Sequence, residues 1–358
     1  MFFVQFFVLF VQLLFIPERN QFACPYGTDP MNDDNRYQLA LIGARGYTGR
    51  EFLGLLAVHP DIELALAASN AQAGQPISDE VPDWPRSDQA FVALAPDQVD
   101  GVDADVWVLA VPNGQSPPWV QAIVRSHPHA LILDLGADYR FDPNWVYGLT
   151  EFNRAALKDA RRISNPGCYA TGAQFGLLPL RNALMSPPVI FGVSGYSGAG
   201  RTPSARNNPE RLRDNLLPYA LTGHVHEQEI STHLGRPVRF HPHVAAFFRG
   251  ITLTIAVELG APATADSLTA EFQACYSDEP LVRVQAEIPE IPSLNPRSGI
   301  CIGGFSVDAR DAHRASFVVV LDNLLKGAAS QALQNINLAL GLEELAGIAS
   351  TGPKGVEK

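Results

Sequence analysis

The stretch from Tyr37 to Pro60, YQLALIGARGYTGREFLGLLAVHP, constrains the fold more than any other part of this chain. An apolar strand (37–43) runs into glycines spaced G-x-x-G-x-x-G. These open a helix, REFLGLLAVHP, in which Phe52, Leu55 and Leu56 share a face and Pro60 supplies the stop. Strand, glycine turn and helix in immediate succession make the repeating unit of a parallel sheet with crossover helices. Apolar runs at 62–68, 105–111 and 130–135 repeat the theme, so the N-terminal half is expected to form one doubly wound α/β unit.

A glycine turn between strand and helix lets backbone amides and the helix N-terminus approach a pyrophosphate; without a ligand it is simply a tight turn. The expected cofactor contacts are Gly43, Arg45, Gly46, Tyr47, Thr48 and Gly49, joined by Ser69 and Asn70 after the second strand and Pro112 after the third. A carboxylate at the tip of the second strand normally accepts from the ribose 2′-OH of NAD. Here Ser69 and Asn70 offer neutral groups that tolerate a 2′-phosphate, which points to NADP.

Beyond residue 168 the texture changes. Longer, alternating strands appear in VIFGVSGYSG (189–198), GITLTIAVELG (250–260) and ASFVVVLDN (315–323), as in a second, mixed α/β domain. The last long segment, LLKGAASQALQNINLALGLEEL, places Leu325, Ala329, Ala332, Leu333, Ile336 and Leu340 on one helical face, and is expected to return to the first domain. The boundaries that follow are an extension over 1–36, a nucleotide-binding domain from 37–167 with 325–358, and a second domain over 168–324. Within the extension, MFFVQFFVLFVQLLFI falls short of the roughly 20 residues that span a bilayer and lacks a basic n-region, so Met31 is the favoured start.

A length of 358 residues accommodates two domains, and the net charge of −11 is spread rather than gathered. With no Lys/Arg run interleaved with aromatics, neither nucleic acid nor an anionic membrane is an expected partner. Cys24, Cys168, Cys275 and Cys301 stand apart without a C-x-x-C pair, as in a reducing, cytoplasmic setting with no disulfide framework.

Cys168 is the exception in its surroundings. In NPGCYATG (165–172) it follows a chain-bending Pro-Gly pair and opens a helix of small and apolar residues, whose free N–H groups are expected to stabilise a thiolate. A nucleophilic thiol needs an imidazole, and GHVHEQEI supplies His224 and His226. The H-x-H pair could also ligate a metal, but no third ligand stands at a usual spacing, so no metal site is expected. Which histidine serves the thiol is open at this level. SGYSGAGR presents Ser197, Gly198 and Arg201 to an oxyanion, and Arg249 in FRG is a further substrate-binding candidate.

Taken in order, GARGYTG, LDLGADYRF, VYGLTEFNR, SNPGCYATG, SGYSGAGR, GHVHEQEI, HPHVAAFFRGI and DNLLKGAASQALQN resemble the N-acetyl-γ-glutamyl-phosphate reductase family, and more distantly the aspartate-semialdehyde dehydrogenases, over about residues 38–348. The resemblance implies a Rossmann-type NADP-binding domain completed by the C-terminal helix, with a catalytic and oligomerising α/β domain between, and a homodimer or homotetramer. It implies NADPH-dependent reduction of an acyl phosphate through a Cys168 thioester, in arginine biosynthesis. His226 or His224 would act as acid and base, Glu229 would lie in the substrate site, and the phosphate would meet Arg201 or Arg249. The chain departs from the family pattern at Glu227-Gln228 and at Asn113, where relatives commonly carry His. The runner-up is a reductase of aspartyl or carrier-bound aminoadipyl phosphate, followed by a non-catalytic NADP-binding redox sensor.

Overall fold

The computed structural model describes residues 36–348; the expectations for the N-terminal extension and the Met31 start lie outside them. The first part of the chain runs β1 (Tyr37–Ile42), α1 (Tyr47–Leu56), β2 (Ile62–Ala68), β3 (Val106–Leu109), α2 (Ser116–Ser126), β4 (Leu131–Asp134), β5 (Val146–Tyr147), α3 (Thr150–Leu157) and β6 (Arg162–Ser164). Its six strands pair in the order β2-β1-β3-β4-β6-β5, every pairing parallel. Both faces are covered, as a parallel sheet requires. Leu39 and Leu41 pack with Phe52, Leu53 and Leu56 of α1, while Ala40, Ile42, Trp107 and Leu109 pack with Ala122 and Ile123 of α2. Because β2 and β3 flank β1 on opposite sides, the strand order reverses there, and the carboxyl ends of β1 and β3 frame a crevice.

The chain then continues through α4 (Cys168–Leu177), β7 (Val189–Gly195), α5 (Pro209–Leu212), β8 (Leu217–Pro218), α6 (Val225–Leu234), β9 (Arg239–Ala245), β10 (Ile251–Glu258), α7 (Ala265–Cys275), β11 (Val282–Val284), β12 (Ile300–Asp308) and β13 (Asp311–Leu321). These strands form a mixed seven-stranded sheet, β11-β12-β13-β10-β7-β9-β8. One face carries Phe240, Leu253, Ile255, Phe317 and Val319 into a core shared with α4, α6 and α7. Alternation along β7 and β10 turns Val189, Phe191, Thr254 and Ala256 outward, where they are exposed.

The chain ends in a π-turn (Leu325–Ala329) followed by α8 (Ser330–Leu340). Leu325 and Ala329 thus precede the helix rather than belonging to it. Ala329, Ala332, Leu333 and Ile336 join the core formed by Leu39, Phe52 and Ile163, so the helix does return to the first sheet. It is buried on every side from Ser330 to Ala339, not on one face alone. Its polar side satisfies backbone left over by β5 and α3, with Gln331 Nε2 and Asn335 Nδ2 donating to Gly148 O at 3.0 and 2.8 Å. Among the described residues, no helix is long and apolar enough to cross a membrane.

Candidate active site

Helix α4 starts at Cys168 itself, with Gly167 as N-cap and no capping side chain. Its first intrahelical bond runs from Thr171 N to Gly167 O at 2.8 Å, so the N–H groups of Cys168, Tyr169 and Ala170 lie ahead of any helical acceptor. The helix start is as expected, but the thiolate is not. Burial pushes the Cys168 thiol up to about 11, outweighing the Arg140 charge and the N–H groups of Tyr169 and Cys168, which pull it down. The free protein therefore holds a thiol. Against it lies the π-turn: a Cβ on Gly327 would come within 2.7 Å of Cys168 Cβ.

The Pro-Gly turn before the cysteine is pinned by Glu229 of α6, which is fully buried. Oε1 accepts from Gly167 N at 2.8 Å and from the Tyr147 hydroxyl at 2.8 Å, and Oε2 from Arg140 Nη1 at 2.9 Å. Arg140 in turn donates to Asn165 O at 2.9 Å and Leu135 O at 3.0 Å. Through these bonds Glu229 holds the Gly167 turn, the Tyr147 hydroxyl and the Arg140 side chain in place. Sequence reasoning assigned no role to Arg140, Tyr147 or Gly327. They sit inside quoted motifs, but a buried ion pair or a close backbone approach has no local sequence signal.

The two histidines separate by geometry. His224 is the N-cap of α6, and its Nδ1 accepts from His226 N at 3.1 Å. Burial, assisted by the Arg206 charge, brings it down to about 4. The His226 side chain packs over the turn, where a Cβ on Gly167 would collide with its Nε2. Burial first, then Arg140 and His224, hold His226 well below the ordinary imidazole range, so it is neutral, and its buried Nδ1 has no hydrogen-bond partner among the described residues. The rings of His224 and His226 are 4.8 Å apart, edge to face, and Tyr169 lies 5.9 Å from His226.

At the crevice, Gly43 has φ +83° and the place of its Cβ is taken by Ala110 O; on Gly49 a Cβ would stand 2.6 Å from Ala44 O. Only glycine lets the turn press this closely on β3 and on its own backbone. Helix α1 has Gly46 as N-cap, no capping side chain and no acidic residue in its first turn, and its first helical bond runs from Arg50 N to Gly46 O. The N–H groups of Tyr47, Thr48 and Gly49 are thus free to meet an anion, so the turn fits a dinucleotide pyrophosphate. Ser69 is buried and Asn70 exposed just past β2, with Asn70 Oδ1 accepting from Leu94 N at 3.2 Å. Asn113, next to Pro112 in the loop after β3, accepts from Ala137 N at 3.1 Å.

The expected phosphate ligands are engaged elsewhere. Arg201 forms a two-pronged pair with Glu80 at 3.0 and 2.8 Å and lies 5.0 Å over the Tyr47 ring. Arg249 is held by Asp322 at 2.6 Å and by Glu51 of α1 at 2.8 and 3.2 Å. Each guanidinium is thus paired with carboxylates in this structure, and those carboxylates come from sequence positions too distant to anticipate. Ser197 is buried and its Oγ accepts from Asn323 Nδ2 at 2.9 Å, while Gly198 follows it in the same short turn. A cleft of about 560 Å³ opens beside this turn, lined by Tyr47, Tyr196, Arg201, Ser204, Asn207 and Arg211. Among the described residues, no group of three or more His, Cys, Asp or Glu is placed to hold a metal.

Comparison with known proteins bears on this arrangement directly. Residues 38–160 match the semialdehyde dehydrogenase NAD binding domain and residues 168–323 the semialdehyde dehydrogenase dimerisation domain. An N-acetyl-gamma-glutamyl-phosphate reductase of Xanthomonas campestris pv. campestris (strain B100) is 50% identical over 310 residues, 87% of this chain and 98% of that protein. The chain belongs to the N-acetyl-γ-glutamyl-phosphate reductase family. It is thereby an oxidoreductase with a Rossmann-type NAD-binding domain. A second member of the family, from Stenotrophomonas maltophilia (strain R551-3), is 48% identical over 88% of this chain and 99% of its own. Aspartate semialdehyde dehydrogenase II of Vibrio cholerae, solved in complex with ASA, shares the fold at a TM-score of 0.68 and 17% identity, covering 86% of this chain and 98% of that one. The Candida albicans aspartate semialdehyde dehydrogenase, solved with NADP, shares it at a TM-score of 0.62 and 14% identity over 85% and 99% of the two chains.

Proposed function

We propose that this protein reduces N-acetyl-γ-glutamyl phosphate to N-acetylglutamate semialdehyde and phosphate, with NADPH as reductant, in the cytoplasm. The observation that carries the reading is Cys168 at a free helix N-terminus, with the His226 imidazole packed over the Gly167 turn just before it, in a chain of this family. The Cys168 sulfur attacks the acyl carbonyl, the bond to the phosphate oxygen breaks, and phosphate leaves behind a thioester. Cys168, Tyr169 and Ala170 present N–H groups toward the region where negative charge builds up.

His226 accepts the thiol proton as the sulfur adds and returns one to the carbonyl oxygen as the thioester is reduced to a thiohemiacetal; that hydroxyl then gives up its proton, the C–S bond breaks to release the aldehyde, and the sulfur takes a proton back as the thiol. Thiol and imidazole are both neutral in the free protein, so an anionic substrate beside them raises the proton affinity of His226 and prepares the transfer. Glu229 and Arg140 hold the Gly167 turn in register with the imidazole, and His224 caps the helix that carries it. When bound, NADPH supplies the hydride that reduces the acyl group. Gly43, Arg45, Gly46, Tyr47, Thr48 and Gly49 would hold its pyrophosphate, Ser69 and Asn70 its phosphorylated ribose, and Pro112 would border its nicotinamide end. In this reading 37–167 with 325–348 form the cofactor domain and 168–324 the catalytic one. Ser197 and Gly198 border the substrate, and the Arg201–Glu80 and Arg249–Glu51 pairs tie the two together.

The outward face of the second sheet, where Phe191, Thr254 and Val318 stand in one cross-strand row, is the surface on which we propose two copies dimerise. Turnover in the reverse direction tests the activity. With NADP and phosphate, N-acetylglutamate semialdehyde should be used far better than aspartate semialdehyde, and the opposite order would reject the assignment. Replacing NADP by NAD in the same assay should lower kcat/KM.

A further inference from the structure

The arginines that approach the catalytic region are not equivalent. Arg140, Arg201 and Arg249 are each bound to one or more carboxylates. Arg206, in the loop between β7 and α5, is exposed and has no ion-pair partner among the described residues. Its guanidinium instead lies 5.0 Å over the ring of Tyr219. The Tyr219 ring meets His224 edge-on at 5.5 Å, and His224 leads within 4.8 Å to His226 over the Gly167 turn. Two rings, Tyr219 and His224, therefore link an unneutralised cation to His226, and the Tyr219 hydroxyl lies near enough to Cys168 to feel its charge.

The Arg206 loop is braced. Asn207 Oδ1 accepts from Ser204 N at 2.7 Å, and its Nδ2 donates to Gly200 O and Thr202 O, both at 2.8 Å. Electrostatics agree with the geometry: burial and the nearby Cys168 sulfur raise the Tyr219 hydroxyl to about 12, while Arg206 pulls it the other way. A braced guanidinium stacked on an aromatic face suits planar, two-pronged binding of a carboxylate.

We infer that Arg206 binds the α-carboxylate of the acyl phosphate, a role that rests on the function proposed above. The substrate carries two anionic groups. Its phosphate is attached to the carbonyl that Cys168 attacks and must lie beside the sulfur, whereas the α-carboxylate lies beyond the two methylenes of the side chain. The Tyr219 ring between Arg206 and the sulfur matches the more distant group.

The test is steady-state kinetics of Arg206→Met and Arg206→Lys in the reverse direction, varying N-acetylglutamate semialdehyde, phosphate and NADP in turn. Removing a charged hydrogen-bonding partner should raise KM for the semialdehyde about 10- to 100-fold in Arg206→Met, with kcat largely kept and the other two KM values little changed. Arg206→Lys should recover part of the loss. The α-carboxamide of the semialdehyde should be a poor substrate for the unsubstituted protein and lose little further in Arg206→Met. An unchanged semialdehyde KM, or a rise in the phosphate KM instead, would overturn the inference while leaving the activity intact. Absence of turnover by the unsubstituted protein would reject the activity, and this role for Arg206 with it.

Discussion

At the scale of the residue, two effects compete at Cys168 and burial wins. Free N–H groups at the start of α4 favour a thiolate, yet Gly327 of the π-turn packs against the residue and burial holds the thiol at about 11. Alkylation by iodoacetamide should therefore be slow at pH 7 and climb about tenfold per pH unit until it levels near 11, since the thiolate fraction grows until pH passes the pKa. A plateau at pH 8 or below would mean that the helix end dominates after all. Cys168→Ser should lose reduction and still bind NADPH, measured by fluorescence titration. Glu229→Gln leaves Arg140 buried without its countercharge; a loss of about 3–5 kcal/mol in denaturant unfolding is expected. The cysteine's importance was legible from its neighbours along the chain. Its protonation state was not, because desolvation depends on what the rest of the fold packs around it.

At the scale of the element, α6 shows how one motif divides its labour. From sequence, H-x-H leaves the choice between its two imidazoles open, but a helix that starts between them makes the first a cap and leaves the second to face the turn. His224→Ala should cost about 0.5–2 kcal/mol, and His224→Asn, which restores a capping oxygen, should recover most of it. The cap also brings a pH dependence. His224 titrates near 4 in the fold and near 6.5 when unfolded, so below pH 6.5 the unfolded chain takes up a proton that the fold refuses. Stability should fall as pH drops from about 6.5 towards 4, and His224→Asn should fall less steeply; parallel urea midpoints for the two proteins would contradict this. Strands and helices were largely legible from periodicity, as with β1, β7 and β10. The exception is α8, whose buried polar side bonds to Gly148 and Glu151 across more than 180 positions of sequence.

At the scale of the whole molecule, the outward row of Phe191, Thr254 and Val318 is weakly polar for an exposed surface. Phe191→Asp sets a charge into the proposed interface, and should lower the mass of the assembly in light scattering with its far-UV circular dichroism unchanged. An unchanged mass would rule out this face as the interface. Ties between the two sheets run through Arg249 to Glu51 and Arg201 to Glu80, so the two arginines that the sequence motifs offered as anion sites carry carboxylate partners in this structure.

The sequence by itself determined the doubly wound sheet, the glycine turn that opens a helix, the cysteine at the head of another and the pair of histidines that lead into α6. These depend on periodicity and on local backbone chemistry, which act between near neighbours. Only the tertiary structure decided which histidine caps α6 and which packs over the Gly167 turn, that burial raises the thiol, and which arginines pair with carboxylates. Each of those depends on burial and on charges brought together from opposite ends of the chain.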